Sequence, residues 1–249
     1  MALDFRRADH LPKGPGEDSA DPYRLPRQRA GRTPQMHGRY PDYDVLSQAD
    51  HWDEVTRRTV LARVDDVPEI RFFTTREAAT LAAMTDVLTA QDAEPRIPVI
   101  NFIDDKYARG ESDGYQYADM PDDDFAWRLI ARGLDEQAAH RSGATSFAAA
   151  DDDVKIAIVK DFAQGRLSGG AWDDLNVKHA FSLVMRVTLT CFYSHPWAWN
   201  EIGFGGPAYP RGYSRFGSPR LQPAEREPWE GREAVDTDPE SGHDEPPPG

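Results

Sequence analysis

Apolar residues recur three and four positions apart through the middle of the chain, which is the spacing that one face of an α-helix produces. The clearest case is FFTTREAATLAAMTDVLTAQD, residues 72–92. Thr74 is followed three residues later by Glu77, so a capping box is predicted at the start of this helix, with Thr75 as a competing cap. The predicted inward face comprises Ala78, Leu81, Ala82, Thr85 and Leu88.

Two further amphipathic helices are predicted downstream. The segment RIPVINFIDDKYARGE restarts after Pro98, a favourable first helical position, and its apolar face holds Val99, Phe102, Ile103 and Tyr107. An aromatic loop, DGYQYADMPDDD, follows it. A longer helix is then predicted from about Asp122 to near Gly143, with Phe125, Leu129, Ile130 and Leu134 facing inward.

The last two predicted helices complete an all-α chain. DDDVKIAIVKDFAQG begins with three aspartates, which the positive end of a helix favours, and is predicted to stop at Gly165. LNVKHAFSLVMRVTLTCFYS is the most apolar segment, with Val177, Phe181, Val184, Val187, Thr188, Cys191 and Phe192 inward. The pattern shows no alternating strand and no internal repeat. The predicted fold is therefore a single irregular helical bundle with long aromatic and Gly/Pro-rich loops.

Composition changes at both ends of the 249-residue chain. Residues 1–44 are polar, rich in glycine, proline, arginine and aspartate, and are predicted to form a disordered arm. Residues 218–249 form an acidic, proline-rich tail that is also predicted to be disordered. The folded part is predicted to be one helical domain over residues 45–217.

Charge and cysteine content exclude several classes of function. The formal net charge is −14, and a chain this acidic repels phosphate backbones, so a nucleic-acid partner is not expected. The single cysteine, Cys191, excludes an internal disulfide and any cysteine-based metal site within the chain. There is no apolar run of membrane-spanning length and no apolar leader, and TRRTVLAR, residues 56–63, lacks the apolar continuation of an export motif. The expected location is the cytoplasm, with export or membrane association together with a partner as the alternative.

Candidate catalytic residues are few. His195 and Glu201 lie six positions apart and could form an acid–base pair or part of a metal site, but their spacing is not diagnostic. The chain contains no HExxH helix, serine elbow, phosphate loop or dinucleotide fingerprint. We therefore expect no catalytic, cofactor-binding or metal-binding residues in this chain. A structural role is favoured for His195, because a histidine before proline at a helix end commonly bonds the backbone there.

The segment SHPWAWNEIGFGGPAYPRGY, residues 194–213, differs from the predicted helices because it is rich in aromatic residues, glycine and proline. Its glycines and prolines argue against a helix, and tryptophan, tyrosine and arginine are the residues that anchor protein–protein contacts. A chain held in one path by glycine and proline loses little entropy on docking. The predicted partner-binding residues are His195, Trp197, Trp199, Asn200, Phe204, Tyr209, Arg211 and Tyr213. The alternative is a loop that folds back and seals its own helical bundle.

The order of these segments resembles the gluconate 2-dehydrogenase subunit 3 family. The resemblance runs from Phe72 to Tyr213, through FFTTREAATLAAMTDVLTAQD, IPVINFIDDKYA and the closing AFSLVMRVTLTCFYSHPWAWNEIGFGGPAYPRGY. It implies a non-catalytic small subunit that supports the folding, stability and export of a separate large subunit. In that family, FAD and the active site belong to a large subunit of the glucose–methanol–choline type, which acts on sugars or polyols. A cytochrome subunit can receive the electrons.

The sequence is thus consistent with three different functions. The first is an accessory subunit that binds and stabilises such a flavoprotein dehydrogenase. The second is a small enzyme that uses His195 and Glu201. The third is a self-contained helical scaffold.

Overall fold

The computed structural model describes residues 44–91, 94–202 and 204–207. These ranges contain helices and no strand, which confirms the all-α prediction. Two 3-10 helices span Val45–His51 and Gly170–Asp174. The α-helices are α1 (Glu54–Asp65), α2 (Thr75–Thr89), α3 (Val99–Ala108), α4 (Asp123–Ser142), α5 (Asp152–Ala163), α6 (Val177–Tyr193) and α7 (Pro196–Ile202). The predicted tail, and the arm apart from Asp44, lie outside the described residues, so their disorder stays a prediction.

The described residues form two compact units. One comprises the described part of residues 60–195 and contains α2 to α6. The other comprises residues 44–59 together with the described part of residues 196–207, and contains α7. No helix in the described ranges is long and apolar enough to cross a membrane.

The larger unit is built around α2, which packs against α3, α4, α5 and α6. Thr74 caps it as predicted: its hydroxyl accepts from the Glu77 amide, and the Glu77 carboxylate accepts from the Thr74 amide. Leu81 and Met84 of α2 are fully buried. The helix therefore supplies the centre of the apolar core, and its start is fixed by side chains that need no tertiary partner.

The prediction for α4 was right about its limits and wrong about one face residue. Asp122 precedes the first helical residue, and Gly143 ends the helix with a φ of +73°. Ile130 and Leu134 are buried, but Phe125 is 54% exposed. The buried face is centred near Ile130, and a residue five positions earlier lies about 140° around a helix with 3.6 residues per turn.

The segment leading into α2 is held by a buried carboxylate on α3. Asp104 is fully buried, and its two oxygens accept hydrogen bonds from three consecutive backbone amides, those of Arg71, Phe72 and Phe73, at 2.7–3.1 Å. Next to it, the Arg128 guanidinium lies 4.2 Å from the centre of the Phe72 ring and donates to the Phe72 carbonyl. This loop is therefore fixed by residues that lie far from it in the sequence.

The terminal segment corrects one prediction. Glycine and proline argued against helix over residues 194–213, yet α7 occupies Pro196–Ile202. Pro196 stands at the first helical position, where its missing amide hydrogen is not needed. The next six residues, WAWNEI, contain neither glycine nor proline. The helix breakers lie at its start and beyond its end.

Candidate functional site

The predicted partner-binding segment begins where α6 ends. Ser194 caps α6, its amide bonding the Thr190 carbonyl and its hydroxyl bonding the Cys191 carbonyl. The Arg63 guanidinium donates to the Ser194 carbonyl. A cation bound to a free carbonyl at a helix end is favourable, because that end carries partial negative charge. Arg63 and Ser194 thereby provide hydrogen bonds to backbone carbonyls at the end of α6.

His195 is buried in this turn, with only 1% of its surface exposed. The pKa of its imidazole is lowered to about 4, mainly by burial; a hydrogen bond to the Arg63 backbone opposes this shift, and the Arg63 charge adds to it. Its ring lies 6.5 Å from that of Phe102, centre to centre. His195 is thus neutral at physiological pH and bonded to the backbone, the structural role that its place before Pro196 indicated.

In the smaller unit, Asn200 joins α7 to the first 3-10 helix. Its side-chain oxygen accepts from the Val45 amide at 2.8 Å, and its side-chain nitrogen donates to the Asp44 carboxylate at 3.1 Å. The same carboxylate oxygen accepts from the Leu46 amide and caps that 3-10 helix. One buried amide side chain therefore bonds two groups about 155 positions away in the sequence.

The residues after α7 fold back onto Trp199. The Phe204 amide donates to the Trp199 carbonyl at 2.9 Å, and the two rings meet edge to face with centres 5.5 Å apart. Gly206 has a φ of +82°, and a Cβ there would lie 2.7 Å from Val45 and 3.1 Å from Trp52. Glycine is thus required at 206 both by its backbone conformation and by the close approach of these side chains.

The predicted partner-binding residues fall into three groups. His195, Trp199 and Asn200 are buried within the chain, whereas Trp197 and Phe204 are half-buried. Tyr209, Arg211 and Tyr213 lie outside the described residues. The burial of these residues does not test contact with a partner, so their role in binding stays a prediction. Among the described members of the set, Trp197 and Phe204 have the most exposed surface.

The residues that position this segment were not predicted from the sequence. Val45 and Trp52 contact Gly206, and Arg63 bonds Ser194. A single tryptophan in an otherwise polar stretch was the available signal for Trp52, because large aromatic side chains are buried more often than polar ones. Nothing in the sequence distinguishes Arg63 from the neighbouring arginines Arg57 and Arg58.

The alternative of an enzymatic pair rests on His195 and Glu201. The Glu201 side chain lies outside what the structure describes. Within the described ranges, no group of three or more histidine, cysteine, aspartate or glutamate side chains is placed to hold a metal ion. The observed contacts of His195 serve the packing of its turn.

The described residues thus form an all-α protein in which the short helix α7 is joined to the first 3-10 helix by hydrogen bonds between residues far apart in the sequence. The chain belongs to the gluconate 2-dehydrogenase subunit 3 family, whose model matches residues 75–206, more than half of the sequence. The resemblance seen in the sequence is thereby confirmed. Comparison with curated proteins and with solved structures gave no match.

Proposed function

We propose that this protein is an accessory subunit that binds and stabilises the flavin-dependent large subunit of a dehydrogenase acting on sugars or polyols. The proposal rests on membership of a family described as gluconate 2-dehydrogenase subunit 3. In this proposal FAD, the substrate and the reacting groups belong to the large subunit. A cytochrome subunit is a further candidate partner, and the cytoplasm is the proposed location.

The anchored segment around α7 is the proposed contact. Its buried residues, Trp199 and Asn200, fix the local backbone and present the half-buried rings of Trp197 and Phe204. An aromatic ring held by a rigid backbone costs little entropy on docking, and tryptophan is among the residues whose truncation most weakens protein interfaces. Tyr209, Arg211 and Tyr213 follow this segment and are proposed to extend the contact.

The chemistry of His195 supports a non-catalytic role for the turn. A general base works best with a pKa near the operating pH, whereas the pKa of His195 is lowered to about 4 by burial. Its ring is 1% exposed and bonds the Arg63 backbone, so it is not presented to a substrate. The alternative of a self-contained helical scaffold is favoured if the chain retains no flavoprotein.

Co-expression tests this proposal. The full chain, tagged, is produced with the flavoprotein large subunit of the same host, and the retained complex is quantified by protein ratio and by flavin absorbance. Wild type is expected to retain flavoprotein, and Trp197→Ala to weaken retention at least tenfold, or about 1.4 kcal/mol. Ile156→Ala, at an exposed apolar position on α5, is the control. The proposal fails if wild type retains no flavoprotein, and the contact is misplaced if both variants retain it equally.

A further inference from the structure

The first and last described residues of the chain meet in the smaller unit. The Val45 amide donates to the side chain of Asn200 on α7 at 2.8 Å, and a Cβ on Gly206 would lie 2.7 Å from the Val45 side chain. The residues before Asp44 and the residues after Pro207 are therefore attached to the fold at neighbouring points. Two stretches of opposite charge are attached there.

One stretch of the arm is basic throughout. Residues 22–41 contain five arginines and no acidic residue, although the chain as a whole carries a net charge of −14. We call this stretch the basic segment; its arginines are Arg24, Arg27, Arg29, Arg32 and Arg39. With its histidine neutral, its formal charge is +5. The basic segment thus has the opposite charge to the rest of the chain.

The tail carries the matching negative charge. Residues 225–245 contain nine acidic residues and two arginines, a formal charge of −7 with the histidine neutral. We call this stretch the acidic segment. Arginine bonds carboxylates through two nitrogens at once, and five arginines in one segment can each find a carboxylate in the other.

The attachment points bring the two segments close together. Twelve positions separate Asp44 from Arg32 in the basic segment, and 28 separate Pro207 from Val235 in the acidic segment. Their composition predicts flexible chains, which over these lengths span about 19 Å and about 29 Å. Attached at neighbouring points, the two segments are thus about 35 Å apart on average without any attraction. That separation corresponds to an effective concentration of about 10 mM.

A weak attraction is sufficient at this effective concentration. Two separate peptides with a dissociation constant of about 10 mM would be half associated when joined in this way. Each exposed ion pair shifts an equilibrium by about 1.4- to 5-fold, so five pairs together shift it by at least about fivefold. The charges of the two segments and their attachment therefore favour contact within one chain over contact between dilute copies.

We propose that the basic segment of the arm binds the acidic segment of the tail of the same chain. The arm and the tail then close into a loop on the smaller unit, which contains α7. The proposal goes beyond the accessory function and does not depend on it. The competing partners for the basic segment are the acidic segment of another copy and the acidic surface of the helical domain.

The test measures energy transfer between two dyes on the full chain. Cysteines are introduced by Ala30→Cys in the basic segment and Ala234→Cys in the acidic segment, and Cys191→Ala removes the one native thiol. The dye pair is chosen to report distances below the about 35 Å expected without attraction. Transfer is expected to be high at low salt and independent of protein concentration. It should fall towards 1 M salt, where the screening length shortens from about 10 Å at 0.1 M to about 3 Å.

Two triple variants with the same change of charge test the basic segment. Neutralising three of its arginines should weaken the contact at least about threefold, through Arg24→Gln, Arg27→Gln and Arg29→Gln. The control neutralises three basic residues of the arm outside the segment, through Arg6→Gln, Arg7→Gln and Lys13→Gln, and should have little effect. Replacing the first three arginines with lysine keeps the charge and should retain the contact.

Two further triple variants test the acidic segment against the helical domain. Neutralisation in the tail, through Glu227→Gln, Glu230→Gln and Glu233→Gln, should weaken the contact as much as neutralisation of the three arginines. Neutralisation at the start of α5, through Asp151→Asn, Asp152→Asn and Asp153→Asn, removes the same charge from the helical domain and should leave transfer unchanged. Melting temperatures establish that each variant is folded.

Four results would overturn the proposal. Transfer that rises with protein concentration would assign the contact to two copies, and transfer that does not respond to salt would exclude ion pairing. Equal effects of the two triple variants of the arm would show that position is irrelevant. An effect of the α5 variant without an effect of the tail variant would assign the basic segment to the helical domain. All of these measurements use the chain alone, so none depends on the flavoprotein.

Discussion

Replacing Asp104 with asparagine is expected to destabilise the larger unit strongly. The fully buried carboxylate accepts from three backbone amides, and asparagine keeps the shape while one oxygen becomes a donor. At least one amide then loses its acceptor, and the others bond a neutral group in place of a charged one. With each bond to a charged group contributing about 1.5–3 kcal/mol, the expected loss is about 3–5 kcal/mol.

Asp105→Asn is the matched control for this prediction. Asp105 is the next residue on α3, but its carboxylate, 19% exposed, pairs with Arg71 and with Arg109, whose side chains are more than half exposed. Surface pairs of this kind contribute about 0–1 kcal/mol. The same substitution at neighbouring positions thus separates the buried amide cluster from a general loss of acidic charge.

The assay combines urea unfolding of the full chain with amide hydrogen exchange. In Asp104→Asn the amides of residues 71–73 should lose protection from hydrogen exchange, and the urea concentration at the midpoint of unfolding should fall. Asp105→Asn should change neither quantity appreciably. Equal destabilisation by the two variants, or full protection of the three amides in Asp104→Asn, would refute the reasoning.

Further predictions concern His195, Gly133 and Asn200. The pKa of His195 is lowered, so the unfolded chain binds a proton more readily, and stability should fall by about 3 kcal/mol between pH 6.5 and 4. In His195→Gln, which retains a donor but does not titrate, this part of the pH dependence should disappear; an unchanged profile would contradict the assignment. Gly133→Ala should cost about 1–3 kcal/mol, because its Cβ would lie 2.6 Å from the Trp172 ring, and a raised melting temperature would disprove this packing. Asn200→Ala should expose the Val45 amide to exchange; unchanged protection would show that the bond contributes nothing.

The sequence predicted features that depend on neighbouring residues. The capping box of Thr74 and Glu77 and the helix end at Gly143 were correctly predicted because both are set by contacts within one turn of helix. The family could also be inferred, since its segments follow one another in order. The face of α4 was wrong at Phe125, because this residue is four positions before Leu129 but about 140° around the helix from Ile130, where the buried face is centred.

The positioning contacts could not be predicted because they join residues distant in sequence. Asp104 bonds amides more than thirty positions earlier, and Asn200 bonds Val45 across 155 positions. The burial of a single aspartate or asparagine cannot be predicted from the spacing of apolar residues, which is the pattern that indicates a buried face. The helix α7 was missed for another reason: composition was averaged over residues 194–213, although the glycines all follow Ile202.

The most direct test of the account is the fate of the flavoprotein large subunit when it is produced with and without this chain. We expect a complex of fixed ratio, with more soluble, flavin-loaded and active large subunit when the chain is present. The chain alone should neither retain flavin nor oxidise a sugar. Turnover of a sugar by the isolated chain, or a large subunit that is equally soluble, loaded and active without it, would contradict the central claim.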